Sequence, residues 1–232
     1  MRFPALPGSR REVADITAAW PSADASEVTV LSGTAATETA VKRAVSGRRV
    51  VHLATHGFFL GGECVPGMAG TRGVGGLASR RSSASDADNP LLLSGLALAW
   101  ANRRDKARTS EDDGILTAEE IAALNLQGTE WAVLSACDTG LGEIKAGEGV
   151  FGLRRAFQVA GARTVIMSLW SVEDTAARVW MRALYDGRFQ QGLATADAVR
   201  HASRTVLADR RAKRLTTHPF YWAGFVAAGD WR

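Results

Sequence analysis

Apolar stretches and helix-period stretches alternate along this chain, and a chain patterned that way has few folds open to it: a mainly parallel sheet with helices packed on both faces. Two segments carry the pattern most firmly. Glu130-Trp131-Ala132-Val133-Leu134-Ser135-Ala136 and Thr164-Val165-Ile166-Met167-Ser168-Leu169 are nearly continuous in apolar character, as strands covered on both sides must be, so both are expected at the centre of the sheet. Strands are predicted over Val28–Leu31, Arg49–Ala54, Glu130–Ala136, Arg163–Leu169 and Gly224–Ala228. A length of 232 residues with 46% hydrophobic content suffices for one domain with a sizeable buried core.

The helices are marked by their first turns. Thr117-Ala118-Glu119-Glu120 is a capping box, in which the threonine oxygen accepts from the backbone at Glu120 while the glutamate reaches back, and it predicts a short helix to Leu124. Ser171-Val172-Glu173-Asp174 is a looser start for a helix reaching Tyr185 and stopped by Asp186-Gly187. Val150–Val159 and Leu193–Leu207 also carry helical periodicity. Residues 61–89 break the alternation with seven glycines and the run Ser82-Ser83-Ala84-Ser85, too little apolar surface to offset ordering entropy, so a flexible insertion is expected there. Within it, Gly73-Val74-Gly75-Gly76-Leu77-Ala78 fits a dinucleotide-binding spacing. It lacks the strand before and the helix after that such binding needs, and no cofactor is expected.

Charge and cysteine usage narrow the function classes. A net charge of +4, from 28 basic and 24 acidic residues, is too mild to indicate nucleic acid, and the densest basic stretch, Arg200 to Arg214, reads as the solvated face and end of a helix. Two cysteines make no disulfide framework. No metal site is expected, because there is no CxxC pair and His52 and His56, four apart, fall on a strand and its exit rather than on one helix face. No segment approaches the roughly 20 apolar residues that span a bilayer and none reads as a signal peptide, so a cytoplasmic protein without a membrane partner is expected.

Two strand ends carry chemistry. Val50-Val51-His52-Leu53-Ala54-Thr55-His56-Gly57 reads as a strand stopping at a histidine, and Val133-Leu134-Ser135-Ala136-Cys137-Asp138-Thr139-Gly140 as one stopping at a cysteine. Ligands of open α/β sheets bind beyond the carboxyl ends of the strands, so if these two are neighbours a thiol and an imidazole face one crevice. Such a pair attacks a carbonyl carbon as thiolate and protonates the departing amine from the imidazole, while the Gly57 and Cys137 amides are placed to hold the oxyanion. His52, inside the apolar strand, reads as a packing residue, and His218, in Thr217-His218-Pro219-Phe220-Tyr221-Trp222, as part of an aromatic segment ahead of the last strand.

The chain resembles the CHAT-domain family, a caspase-like branch of cysteine peptidases related to separase and commonly fused to tetratricopeptide repeats. The likeness is carried in family order by Leu6-Pro7-Gly8-Ser9-Arg10-Arg11-Glu12, His52-Leu53-Ala54-Thr55-His56-Gly57, Asn89-Pro90-Leu91-Leu92-Leu93-Ser94-Gly95-Leu96-Ala97-Leu98, Asp113-Gly114-Ile115-Leu116-Thr117-Ala118-Glu119-Glu120-Ile121, Leu134-Ser135-Ala136-Cys137-Asp138-Thr139-Gly140, Ala146-Gly147-Glu148-Gly149-Val150, Ser168-Leu169-Trp170 and His218-Pro219-Phe220-Tyr221-Trp222-Ala223. The resemblance implies a caspase-like three-layer sandwich, with a central mainly parallel sheet and helices on both faces, spanning residues 1–232 as a single domain. It further implies a cysteine endopeptidase that cuts a protein substrate through a His56–Cys137 dyad and a thioester, with the amides of Gly57 and Cys137 as the oxyanion hole. Trp170 and Ser171, after a strand bordering the crevice, then serve substrate contact. The glycine-rich insertion and the Gly140–Gly149 loop suggest regulation as well: a latent form whose site is completed by a partner, a repeat-containing one among the candidates, or by cleavage within residues 61–89. The alternative is a non-catalytic interaction or signalling module of the same fold. No repeat with a period near 34 residues occurs within the chain, and Ser135 and Ala136 stand where peptidases that cut after basic residues carry an acid, which leaves substrate preference open.

Overall fold

The computed structural model describes residues 2–21, 28–59, 91, 94–106, 112–135, 152–170 and 172–231. In chain order these residues form α1 (Pro7–Ala19), α2 (Glu38–Val45), β1 (Val50–Leu53), β2 (His56–Phe59), β3 (Ser94–Ala97), β4 (Ile115–Thr117), α3 (Ala118–Ala122), β5 (Trp131–Leu134), α4 (Leu153–Val159), β6 (Thr164–Ser168), α5 (Asp174–Phe189), α6 (Thr195–Ala212) and β7 (Phe225–Gly229). The main sheet has the order β1-β5-β6-β7; β1, β5 and β6 run parallel, and β7 joins antiparallel to β6. A second, antiparallel sheet follows the order β2-β3-β4.

Strand alternation sorts the core into two layers. Val51, Ala132, Leu134, Val165 and Met167 pack on one side against Val41 and Val45 of α2, Ile121 of α3 and Leu153 and Phe157 of α4. Trp131, Val133, Ile166 and Phe225 pack on the other, against Ile16 of α1, Trp180, Met181 and Leu184 of α5 and Ala198, Ala202 and Val206 of α6. The result is the three-layer sandwich with a mainly parallel centre that the apolar runs of β5 and β6 predict. Burial of each Val, Leu, Ile, Met or Phe side chain among them contributes about 1.5 to 3 kcal/mol, and this packing rather than propensity sustains the five-residue α3, which is far below the length at which an isolated helix persists. The predicted capping box is present: Thr117 Oγ1 accepts from the Glu120 N–H at 3.2 Å and Glu120 Oε2 accepts from the Thr117 N–H at 2.9 Å.

Several boundaries differ from the sequence expectation. Val28–Leu31 forms no strand: β1 is the edge of the main sheet, no ladder partner among the described residues reaches this stretch, and Val30 is 49% exposed. The strand expected over Arg49–Ala54 ends at Leu53, and His56 opens a new strand of the second sheet instead of closing the first. That sheet is not legible in the sequence because its short strands form by pairing with one another and lack the continuous apolar run that marks β5 and β6. Helix α5 runs through the expected stop at Asp186-Gly187 to Phe189: Gly187 lies where α6 crosses, and a Cβ there would come within 3.2 Å of His201 Cδ2. It is a close-approach glycine, not a terminating one. The start expected at Ser171 also moves, because α5 begins at Asp174 with Glu173 as N-cap. Helices α1 and α2 were not foreseen; Pro7 begins α1 at the position where its missing N–H costs nothing. The 61–89 insertion and the Gly140–Gly149 loop lie outside the described residues.

Gly114 is required by its backbone. Gly114 has φ +87°, and a Cβ there would stand 2.2 Å from Ala101 N and 2.6 Å from Ala99 O, main-chain atoms that cannot turn aside. Its N–H donates to the buried Glu38 Oε1 at 2.6 Å, opposing the burial that raises the Glu38 carboxyl above its ordinary range. Gly114→Ala is expected to cost about 2 to 3 kcal/mol by left-handed strain and overpacking, read as a lower urea midpoint with an unchanged slope.

Candidate active site

His56 stands where the chain leaves the central sheet. Strands β1 and β5 are in register up to Leu53 opposite Leu134, and the Ser135 N–H donates to the Leu53 carbonyl at 3.0 Å, so the two stay joined at their carboxyl ends. One exit leads through Ala54 and Thr55 to His56; Cys137 follows the other, two residues after Ser135 in the sequence. Cys137, its amide and Ser171 lie outside the described residues.

The histidine is held on several sides. His56 is 5% exposed, and its Nε2 lies 2.8 Å from the Pro4 carbonyl oxygen. A carbonyl only accepts, so Nε2 carries the hydrogen, and in the neutral ring the lone pair sits on Nδ1. The ring tilts at 34° against Phe3 with centroids 5.6 Å apart, and Phe3 also meets Phe58 at 6.1 Å. Strand alternation explains the trio: His56 and Phe58 share one side of β2, and Gly57, buried and paired with Leu96, faces the other. The bend before β2 is tied by the Thr55 hydroxyl, which donates to the Ala97 carbonyl. Pro4 and Phe3 could not be found by motif reading, because the group that orients the imidazole is a main-chain oxygen far away in sequence.

His52 is a structural residue. Its Nε2 lies 2.9 Å from Oε1 of Glu12 on α1 and its Nδ1 3.0 Å from the Tyr185 hydroxyl on α5. With Glu12 ionised, Nε2 carries a hydrogen, and the Tyr185 oxygen can donate to a neutral Nδ1 or accept from a protonated one, so both His52 ring nitrogens keep a partner either way. Burial, and after it the Glu12 charge, hold the Tyr185 phenol well above its ordinary pKa. The trio sits in the α1–α5 layer and ties that layer to β1.

Trp170, two residues past β6, is fixed to the turn that precedes β7: its Nε1–H donates to the Phe220 carbonyl at 2.9 Å. The neighbouring Tyr221 ring holds the Arg210 guanidinium 3.6 Å from its centroid, and Phe220 is 38% exposed. His218 Nδ1 accepts from the Phe220 N–H at 3.2 Å and so caps this turn. Given the strand order, the exits of β1, β5 and β6 lead side by side to His56, to Ser135 and to Trp170.

A buried histidine with a fixed tautomer thus stands beyond the carboxyl end of β1 in a mainly parallel three-layer α/β sandwich, the end at which open α/β sheets bind their ligands. The chain belongs to the CHAT domain family, whose model matches residues 1–230. It is 28% identical over 206 residues to Tetratricopeptide repeat protein 28 of Homo sapiens, a match covering 86% of this chain and 8% of that protein. The Mus musculus protein of the same name is 31% identical over 116 residues, covering 50% of this chain and 4% of its own length. This chain therefore spans a small fraction of the length of these relatives. Among solved structures, one described as "Structure of Protease" superposes with a TM-score of 0.41 at 15% identity, over 50% of this chain and 30% of that one. Among the described residues no helix is long and apolar enough to cross a membrane.

Proposed function

We propose that this domain is a cysteine endopeptidase that cleaves a protein substrate, with Cys137 as nucleophile and His56 as its proton-transfer partner. The observation that carries the reading is the parallel pairing of β1 with β5 to their last residues, since one of these neighbouring exits leads to an imidazole whose Nε2 is already committed to the Pro4 carbonyl. Proton exchange then falls to Nδ1. The Cys137 thiolate attacks the scissile carbonyl carbon, the oxyanion is held by the amides of Gly57 and Cys137, and the imidazolium gives its proton to the leaving amine. Water, deprotonated by the neutral imidazole, opens the thioester and releases the acid and the free thiol. Trp170, and Ser171 after it, border the substrate channel beside the nucleophile. The relatives are tetratricopeptide repeat proteins by name, which favours a repeat module, on the same chain or another, as the element that presents substrate and regulates cleavage.

The test is a denatured peptide library incubated with the chain and with Cys137→Ala, read by mass spectrometry of new termini. Termini that require Cys137 are expected. In parallel an iodoacetamide probe is expected to label Cys137 at least about tenfold faster than Cys64, because a thiolate beside an imidazole outcompetes an ordinary thiol. No new termini together with equal labelling would favour the non-catalytic interaction module.

A further inference from the structure

We infer that Asn102 is a positioning residue for His56, acting through the main chain of Phe3 and Pro4; the inference rests on the reading of His56 as the proton-transfer partner. The Asn102 side-chain amide takes both main-chain polar groups of Phe3: Oδ1 accepts from the Phe3 N–H at 2.7 Å, and Nδ2 donates to the Phe3 carbonyl at 2.8 Å. One side chain thus does what an adjacent strand would do for that residue. Covalent geometry carries the effect onward. The Phe3 carbonyl belongs to the planar Phe3–Pro4 peptide, and the proline ring fixes φ of Pro4, so clamping Phe3 leaves only ψ of Pro4 to decide where its oxygen points. That oxygen is the one 2.8 Å from His56 Nε2.

Both sides of the linkage are anchored. Downstream, the Leu6 carbonyl accepts from the Ser9 N–H at 3.2 Å, and α1 begins so close to α5 that a Cβ on Gly8 would lie 1.8 Å from an Asp174 carboxylate oxygen. On the other side, the short 3₁₀ segment Ala101–Lys106 that bears Asn102 follows a stretch held by the Leu98 N–H, which donates to the Gly114 carbonyl at 2.7 Å, and by the Ala99 N–H, which donates to the Ala36 carbonyl at 2.9 Å. The amide of Asn102 joins these two frames. Without it Phe3 keeps its ring contacts but loses both main-chain bonds, the Pro4 oxygen is free to rotate away, and the imidazole is no longer held with its lone pair on Nδ1.

The inference is tested with Asn102→Ala and Arg104→Ala in the 232-residue chain. Two readouts are taken: kcat/KM on a peptide recovered from the library, and the His56 tautomer from long-range 1H–15N spectra, in which only four histidines contribute. Asn102→Ala is expected to lower kcat/KM by about 10- to 100-fold and to shift the His56 ring nitrogens away from the Nε2–H pattern, as a small misplacement of a reacting group does. Arg104→Ala, which touches Asp113 and not Phe3, is expected to leave both at wild-type values. Unchanged nitrogen shifts in Asn102→Ala, or an equal loss in Arg104→Ala, would overturn the inference. If wild type cleaves nothing while Asn102→Ala still shifts the tautomer, the positioning role stands and the peptidase reading falls; an active wild type with an unmoved tautomer means the reverse.

Discussion

His56→Gln is expected to lower kcat/KM by about 10²- to 10⁴-fold, the usual span for removing a positioned acid–base group, and Cys137→Ala to remove turnover altogether. Glutamine is the informative replacement. Its amide can still donate a hydrogen bond toward the Pro4 carbonyl, 2.8 Å from Nε2 in the wild type, and it fills much of the space against Phe3, so the packing of β2 is disturbed little. It has no lone pair basic enough to take the thiol proton and nothing to return to the leaving amine. Alkylation of Cys137 should slow in step, because the thiolate loses the imidazolium that stabilises it. A Gln variant that cleaves library peptides at the wild-type rate would exclude His56 from proton transfer, and the assignment would have to pass to another group at the β5 exit.

The fold and the site were legible in the sequence to different depths, for one physical reason. Trp131–Leu134 and Thr164–Ser168 are buried on both faces, and a strand in that position must be apolar throughout, so β5 and β6 could be placed from composition alone. The helix starting after Thr117 was equally plain, because its cap is built from side chains that the sequence spells out. Elements whose stability comes from distant contacts were not. The β2-β3-β4 sheet consists of short strands that exist because they pair with one another, and α1 is amphipathic only weakly, being held by Glu12, Asp15 and Ile16 reaching partners across the domain. The site divides the same way. His56 could be named from a motif, whereas the Pro4 oxygen that fixes its tautomer lies 52 residues away and the Asn102 amide that clamps Phe3 lies 99 residues from it.

The largest effect on stability is expected from Glu12→Ala, at about 3 to 5 kcal/mol, the range for removing one partner of a buried hydrogen-bonded pair. Glu12 is fully buried on α1, and its Oε1 stands 2.9 Å from a His52 ring that is itself 11% exposed. Truncation leaves the His52 Nε2–H without its acceptor and removes the charge that the Tyr185–His52 arrangement is built around, in a layer whose buried cluster includes Ile16, Trp131 and Tyr185. For a domain of this size the loss should lower Tm by roughly 10 °C. Two further variants separate the buried pair from its surroundings. Glu12→Gln keeps an acceptor of nearly the same shape and should cost only about 1 to 2 kcal/mol. Asp15→Ala removes a second α1 ion pair, to an Arg178 that is 38% exposed, and in high dielectric that should cost less than about 1 kcal/mol, although the Asp15 carboxyl is held below its usual range by the Arg178 hydrogen bond. Equal losses from Glu12→Ala and Asp15→Ala in urea unfolding would show that α1 is held by its apolar face alone. The ordering predicted here instead makes the Glu12–His52–Tyr185 trio the tie that keeps α1 in place, and through α1 the chain segment that delivers the Pro4 oxygen to His56.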